Sequence, residues 1–515
     1  MAEETGRCVL TLPLLTEPWQ EHIMEKRFSI VEHLKNQLIA MELRKLKNLQ
    51  RTKAYRELAE KIEATPKEKR APLYRERKKM LQDAGFSEYA FKHDMQSPEN
   101  PMQQHFSMHI TSKVAERAAS DVWRAFQKYL YSNGNEVHFH KRGTLKSVAC
   151  QANGSGMYYQ DDTFAWHRGK TAKVKPAKDN PQGRKKRDKN KQLHIKVRPP
   201  QNAYEREMLK KEVKEIRVVR QWVKSRYKYY LQLTLVGPPV PKERKLGVGR
   251  VGIDIGTQTI AISSETSVQL RELAPGVNDN HEKKLRLQRQ MDRSKRATNP
   301  ENYNPDGTIR RPPKGERMRW NFSKRYKKLA GKVRELERKN AAIRKYEHTC
   351  LANEILSLGD EIYVEKMSFS GLQRRAKETK KDAKGCYLKK KRFGKSLANK
   401  APATLMQILK TKAALTGQVA EEVNTTAFRA SQFDHTSGQY RKPLLSERWK
   451  TLSGGERVQR DMYSAFLLMN SDSDKTQSDA ELCSLTFENF RRLHDAEVTR
   501  IRNEHKRHLR SFGID

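Results

Sequence analysis

Apolar residues recur at helical spacing through the first quarter of the chain. Met24, Phe28, Val31, Leu34, Leu38 and Met41 share one face of a 3.6-residue period, and Val114, Ala118, Val122, Phe126 and Tyr129 repeat it. Residues 16–132 are therefore expected to be mainly α, with Thr16 as N-cap and Pro18 in the first turn. A short strand, Cys8-Val-Leu-Thr-Leu-Pro13, precedes them. At Ser132-Asn-Gly-Asn135 the period changes to two. Val137-His-Phe-His140 reads as a strand with two histidines on one face, turned to solvent or phosphate. Met157–Tyr159, Phe164–Trp166 and the alternating Tyr229, Leu231, Leu233 and Leu235 extend a β block over 133–246.

The second half reads differently. Val251–Ser263 is an apolar run, expected as a buried strand, that contains one carboxylate, Asp254. Glu361–Val364 is a short strand closing on Glu365. Val458, Met462, Ala465 and Met469 keep helical spacing and put Asp461 near the first turns of a packed helix. Between these lies a stripe from Tyr326 through Leu329, Val333, Leu336 and Ile343 to Cys350, which predicts one long helix. A carboxylate in an apolar setting is costly without a partner or a metal. Each acid taken singly also fits a solvated or capping role, Asp254 capping a turn toward Gly256. Together they offer hard oxygen ligands at one sheet edge, which suits two magnesium ions (Mg2+), with Mn2+ an acceptable replacement. Two such ions about 4 Å apart can activate water and stabilise a leaving oxygen in phosphodiester cleavage.

Charge points to the same class of partner. The 515 residues carry 105 Lys plus Arg against 61 Asp plus Glu, a formal charge of +44. Such a chain repels itself unless a polyanion offsets it, so nucleic acid is the expected partner; a ribosome-associated protein or a merely basic surface is the plainer alternative. Two cationic runs stand out. Arg184, Lys185, Lys186 and Arg187 form an arm suited to phosphate, or a nuclear localisation signal, and Lys389, Lys390, Lys391 and Arg392 form a lid over an active-site mouth or a solvated loop. No apolar run reaches membrane-spanning length and no signal peptide opens the chain, so no membrane is expected and the cytoplasm is the expected place. The five cysteines are scattered, which argues for reduced thiols. Leu452-Ser-Gly-Gly-Glu456 imitates an ATPase signature, but no phosphate-binding Gly-rich loop accompanies it.

Gly-Ile-Asp254-Ile-Gly, Val-Glu365-Lys-Met and Arg-Asp461-Met-Tyr-Ser-Ala resemble the three RuvC-type motifs of TnpB, the transposon-encoded RNA-guided DNA nuclease, and of the compact type V CRISPR effectors related to it. The Arg-rich segment Leu285–Arg296, with Arg293 and Arg296, and Gly371–Lys377, with Arg374 and Arg375, are similar to segments of that family; these four arginines are further candidates for nucleic-acid contact. The resemblance covers residues 248–470, with a weaker echo at the N-terminus. It implies a multidomain α+β protein: a wedge-like β-barrel (1–15 and 133–246) interrupted by an α-helical recognition lobe (16–132), then an RNase H-like (RuvC) α/β nuclease (247–424 and 457–515, with the role of 471–515 open). A ribbon-like insert (425–456) would bind target nucleic acid.

It further implies an RNA-guided DNA endonuclease of a prokaryotic cytoplasm, with guide RNA and target double-stranded DNA as partners and Asp254, Glu365 and Asp461 as catalytic metal ligands. Guide pairing would read the sequence and the protein a short flanking duplex motif. The chain departs from the family in two places. The insert lacks the four zinc cysteines, so no zinc is expected and Phe433, Tyr440, Leu444 and Trp449 are expected to hold it, while Asp434 and His435 alone do not make a tetrahedral site. Tyr463 stands where the family usually has Asn, a change that could retune the metal geometry. An RNA-guided binder that represses without cutting and an unguided structure-specific nuclease are the rival functions. Neither a transposon-end nor a CRISPR-array guide is favoured, and neither a monomer nor a homodimer.

Overall fold

In a computed structural model, the described residues are 6–97, 106, 109–132, 134, 136–154, 156–167, 193–240, 245–313, 316–374, 393–444, 446–504 and 509–514. The cationic candidates Arg184, Lys185, Lys186, Arg187, Arg375, Lys389, Lys390, Lys391 and Arg392 lie outside them. The chain divides into two compact units, Met1–Val240 and Pro241–Asp515.

The first unit is built on an antiparallel sheet of seven strands: β1 (Arg7–Leu15), β2 (Ser147–Cys150), β3 (Met157–Gln160), β4 (Thr163–Trp166), β5 (Leu193–Val197), β6 (Val213–Val223) and β7 (Arg226–Val236). Their order is β2-β6-β7-β1-β5-β4-β3, and the sheet coils until its edge β3 nears β6, a nearly closed barrel. Alternation sets the inside: Cys8, Leu10, Leu12 and Leu14 of β1 face inward, with Leu12 registered against Leu231. Between β1 and β2 the chain runs through α1 (Pro18–Arg51), α2 (Lys53–Ala64), α3 (Ala71–Asp83), α4 (Glu88–Gln96) and α5 (Ser112–Tyr131). The predicted stripe Met24, Phe28, Val31, Leu34 and Leu38 joins the sheet's core, together with Phe164 and Trp166. Those strand aromatics are therefore core rather than base-stacking groups.

Two local expectations are corrected. Glu17, not Thr16, caps α1, because Gln20 reaches back to the Glu17 amide at 2.9 Å while the Thr16 hydroxyl is spent on Glu21 at 2.7 Å. Val137–His140 is not a strand: the Asn36 carboxamide donates to the His140 carbonyl at 2.9 Å and accepts from its amide at 2.8 Å, so a side chain takes the place of a neighbouring strand.

The second unit holds a five-stranded sheet of β8 (Arg250–Ile255), β9 (Thr259–Ser264), β10 (Val268–Glu272), β11 (Glu361–Glu365) and β12 (Val419–Val423), in the order β10-β9-β8-β11-β12. The first three form an antiparallel meander, and β11 runs parallel to both β8 and β12. After a short helix α6 (Ala203–Leu209) in the first unit, the helices here are α7 (His281–Thr298), α8 (Lys324–Leu356), α9 (Phe369–Gln373), α10 (Gly394–Lys400), α11 (Pro402–Thr416), α12 (Thr425–Phe428), α13 (Arg460–Met469) and α14 (Ala480–Asn503). One sheet face packs on α8 and α11 through Val251, Ile253, Ile362 and Val364; the other packs on α13 and α14 through Ala261, Tyr363, Phe466 and Phe490. The long helix α8 is present, but its stripe is shifted. Cys350 is exposed and Ala352, Ile355 and Leu356 make the contact, because only the last turns of α8 reach the sheet.

Gly252 fixes how closely α13 can approach. A methyl group there would lie 1.9 Å from the Ala465 carbonyl oxygen and 2.3 Å from the Met469 nitrogen, both backbone atoms. Only a residue without a side chain lets the helix rest directly on the strand. Gly252→Ala is expected to lower unfolding free energy by about 1–3 kcal/mol or more, measured by denaturant titration, because the helix must move to admit it.

Candidate active site

β8 and β11 are paired as far as Ile253 and Val364, so Asp254 and Glu365 are the next residues on two adjacent parallel strands. Strands in a sheet lie about 4.8 Å apart, and in-register residues of parallel strands point to the same face. That face is the one α13 covers: Gly252, two residues before Asp254, lies under α13, and Tyr363, two residues before Glu365, belongs to the α13 core. Gly252 meets the later turns of α13, from Ala465 to Met469, so the helix runs antiparallel to β8 and its first turn, with Asp461, lies toward the Asp254 end. Three acids far apart in sequence thus share one face and one end of the sheet.

Their electrostatics agree. Burial pushes the Asp254 carboxyl well above the usual carboxylate range, the negative charges of Asp461 and Glu365 push it further, and only the Arg460 guanidinium pulls it back. Burial raises Glu365 as well. Among the described residues no hydrogen-bond donor or ion-pair partner reaches the Asp254 or Glu365 side chain. Asp461 is held differently. Arg460 donates to its Oδ1 from Nη2 at 3.1 Å and Nε at 3.3 Å, and Arg448 Nη1 lies 3.7 Å from its Oδ2. Among the described residues no group of three His, Cys, Asp or Glu side chains is placed to hold a metal ion. By donor type, three carboxylates are the hard oxygen ligands that magnesium takes.

Arg460 and Arg448 were not singled out in the sequence, where the Arg-Asp461 pair was the available signal. Arg460 is also bound to the insert, donating to the Glu447 carbonyl at 2.7 Å. The segment 425–456 holds α12, the hairpin of Phe433–Asp434 with Gln439–Tyr440, and the strand Trp449–Thr451, which pairs with Arg457–Gln459 just beyond it. Phe433 is buried against Tyr440, and Trp449 donates to the Gly513 carbonyl, but Leu444 is exposed because the segment around it lies outside both hairpins. Leu452-Ser-Gly-Gly-Glu456 is the turn of the second hairpin, with Gly455 at φ +91°.

Polar side chains order this segment. Asp434 accepts from Thr436 N and Oγ1 and from Ser453 N and Oγ, which hold its carboxyl below its usual range against the opposing effect of burial. The buried Tyr463 hydroxyl meets His435 Nδ1 at 2.7 Å and accepts from its amide at 3.1 Å. Tyr463 therefore points to the insert, and its role is to pin the insert to α13. Arg293 and Arg374 are described but neither makes an ion pair among the described residues, whereas Arg296 donates to the Gly307 carbonyl at 3.0 Å.

No protein-family profile matches the chain, and no curated protein does. Among solved structures, it is similar to a Cas12f1–sgRNA–target DNA complex at 12% identity and TM-score 0.42, over 90% of this chain and 98% of the other. It is also similar to a CRISPR-Cas12f ternary complex at 13% identity and TM-score 0.25, over 89% and 83%. These overlaps are loose, and the chemistry rests on the acids themselves. Among the described residues no helix is long and apolar enough to cross a membrane.

Two outcomes are expected. Without divalent cations, Asp254→Asn melts at a higher temperature than the natural protein near neutral pH. The difference vanishes in acid: below the ordinary carboxylate range Asp254 is protonated both folded and unfolded, and as pH rises the unfolded chain ionises first while the folded one is penalised. Millimolar magnesium stabilises the natural protein and not the variant. Tyr463→Phe costs about 1–3 kcal/mol in chemical denaturation by leaving His435 unsatisfied in the interior.

Proposed function

We propose that the chain is an RNA-guided DNA endonuclease whose single RuvC-type site holds magnesium between Asp254, Glu365 and Asp461. The observation that carries this reading is the convergence of those acids on one sheet face beside the N-terminus of α13, where Asp461 and Glu365 act electrostatically on Asp254. Magnesium bound there would supply Lewis acidity and an activated water for phosphodiester hydrolysis. Asp254 and Glu365, fixed on adjacent strands, set the width of the site. Asp461 completes it from the helix, while Arg460 and Arg448 neutralise it until then and afterwards offer positive charge to a scissile phosphate.

The first unit, a barrel with a helical insertion, would grip guide RNA, and the zinc-free insert would guide the target strand toward the acids. The net charge of +44 supports polyanion partners of this kind. One observation favours the non-cleaving binder instead: Asp461 is engaged by arginines rather than turned toward Asp254.

A plasmid-cleavage assay decides between them, using protein purified with its bound RNA and a plasmid carrying a match to that RNA. Cutting is expected with magnesium and not with EDTA, and Asp254→Ala or Glu365→Ala should reduce it at least about 1,000-fold while guided binding in a gel-shift assay persists. Binding without cutting in the natural protein would establish the repressor reading. Cutting that needs no RNA would establish the unguided nuclease.

A further inference from the structure

Between α7 and α8 lies a long connection whose order has no apolar explanation. Among the described residues no hydrophobic side chain from 278 to 328 is fully buried, and α7 itself buries none. Holding so many residues in one conformation is entropically costly, at about 1–2 kcal/mol each for the backbone alone. Two asparagines supply the order. Asn299, fully buried, donates to the carbonyls of Lys295 and Asn321, both at 2.8 Å, and accepts from the Asn321 amide at 2.6 Å. Asn302, 5% exposed, donates to the Arg319 carbonyl at 2.7 Å, and its own carbonyl accepts from the Arg310 amide at 2.9 Å. The two ends of the connection are thereby tied together from inside, as in a compact surface loop.

This order presents rings and cations. Lys295 sits 3.6 Å above the Trp320 ring and Arg296 lies 5.3 Å over Tyr303, whose ring meets Trp320 edge-on at 5.8 Å. Phe322 stacks on Tyr326 at 4.5 Å and 26°, yet is itself 41% exposed. Residues 281–313 and 316–328 hold fifteen Lys and Arg against five Asp and Glu. Of those cations only Lys284 is ion-paired among the described residues, to Glu337. A stack of two rings that ends in solvent, flanked by Arg319, Lys324 and Arg325, is what an unpaired base and its neighbouring phosphates require.

The geometry points to the segment Arg319–Tyr326, held by Asn299 and Asn302, as a docking platform for single-stranded nucleic acid, with a base stacked on Phe322 and phosphates on the flanking cations. The assignment rests on the reading of this chain as a nucleic-acid protein, not on its ability to cut. A duplex fits less well, because its bases already stack on each other. An acidic protein surface would use the cations and leave the ring stack without purpose. RNA and a displaced DNA strand offer the same chemistry, and the test separates them.

The test uses the full-length Asp254→Asn protein, freed of bound RNA, with 4-thiouridine RNA and 4-thiothymidine DNA oligonucleotides cross-linked by near-ultraviolet light and mapped by peptide mass spectrometry. Cross-links at Trp320, Phe322 or Tyr326 are expected, and the oligonucleotide that gives more of them names the source. Phe322→Ala should weaken binding of that oligonucleotide by roughly 5- to 150-fold with an unchanged salt slope, and leave binding of a duplex of the same length unchanged. Arg319→Ser should instead lower the slope by about 0.7, and Phe322→Trp should restore binding. Oligonucleotide binding with no cross-link in 316–326, or a Phe322→Ala loss equal for single strand and duplex, would overturn the platform and leave the proposed function intact. Failure to bind any oligonucleotide would overturn both.

Discussion

The seating of α13 on β8 governs the second unit. A helix normally stands off a sheet by the length of the side chains between them, but at Gly252 nothing intervenes, and the backbone of α13 comes within contact of the strand. That close approach brings the first turn of the helix down to the carboxyl end of β8. It turns an acid at the start of a helix and an acid at the end of a strand into neighbours. The parallel register of β11 adds the third. The like charges this produces are the visible strain in the site: Asp254 is pushed toward its neutral form by its own companions. Such a cluster works against folding stability, and perturbations of this kind concentrate at functional sites.

Much of this was legible in the sequence because burial and periodicity are local properties. An acid closing Glu361–Val364 and an acid in the first turn of a helix spaced by Val458, Met462, Ala465 and Met469 could each be placed on its element, whereas the apolar run Val251–Ser263, expected as one strand, turns after Ile255 into the antiparallel pair β8 and β9, with Asp254 near the end of the first. Their meeting depends on pairing between strands more than a hundred residues apart, which no periodicity encodes. The errors have the same origin. Val137–His140 alternates like a strand but finds Asn36 in place of a strand partner, and Cys350 keeps helical spacing on a part of α8 that lies beyond the sheet. Trp320 and Tyr303 lie far apart along the chain and drew no notice, because two buried asparagines, and no hydrophobic pattern, bring them together.

Arginine has two jobs around the acids. Arg460 bridges an acid of the site and a carbonyl of the insert, so movement of the hairpins and the orientation of Asp461 are mechanically linked. Arg448 lies on the second side of the same carboxylate.

His435 of the insert is fastened to Tyr463 of α13, and Asp434 joins the two hairpins through Ser453; none of these groups is a thiol. Cysteine-ligated ribbons unravel when zinc is scarce or their sulfurs are oxidised. A lobe held by hydroxyl, imidazole and carboxylate is indifferent to both conditions. The contacts that fasten this segment can therefore form whether the surroundings are reducing or oxidising.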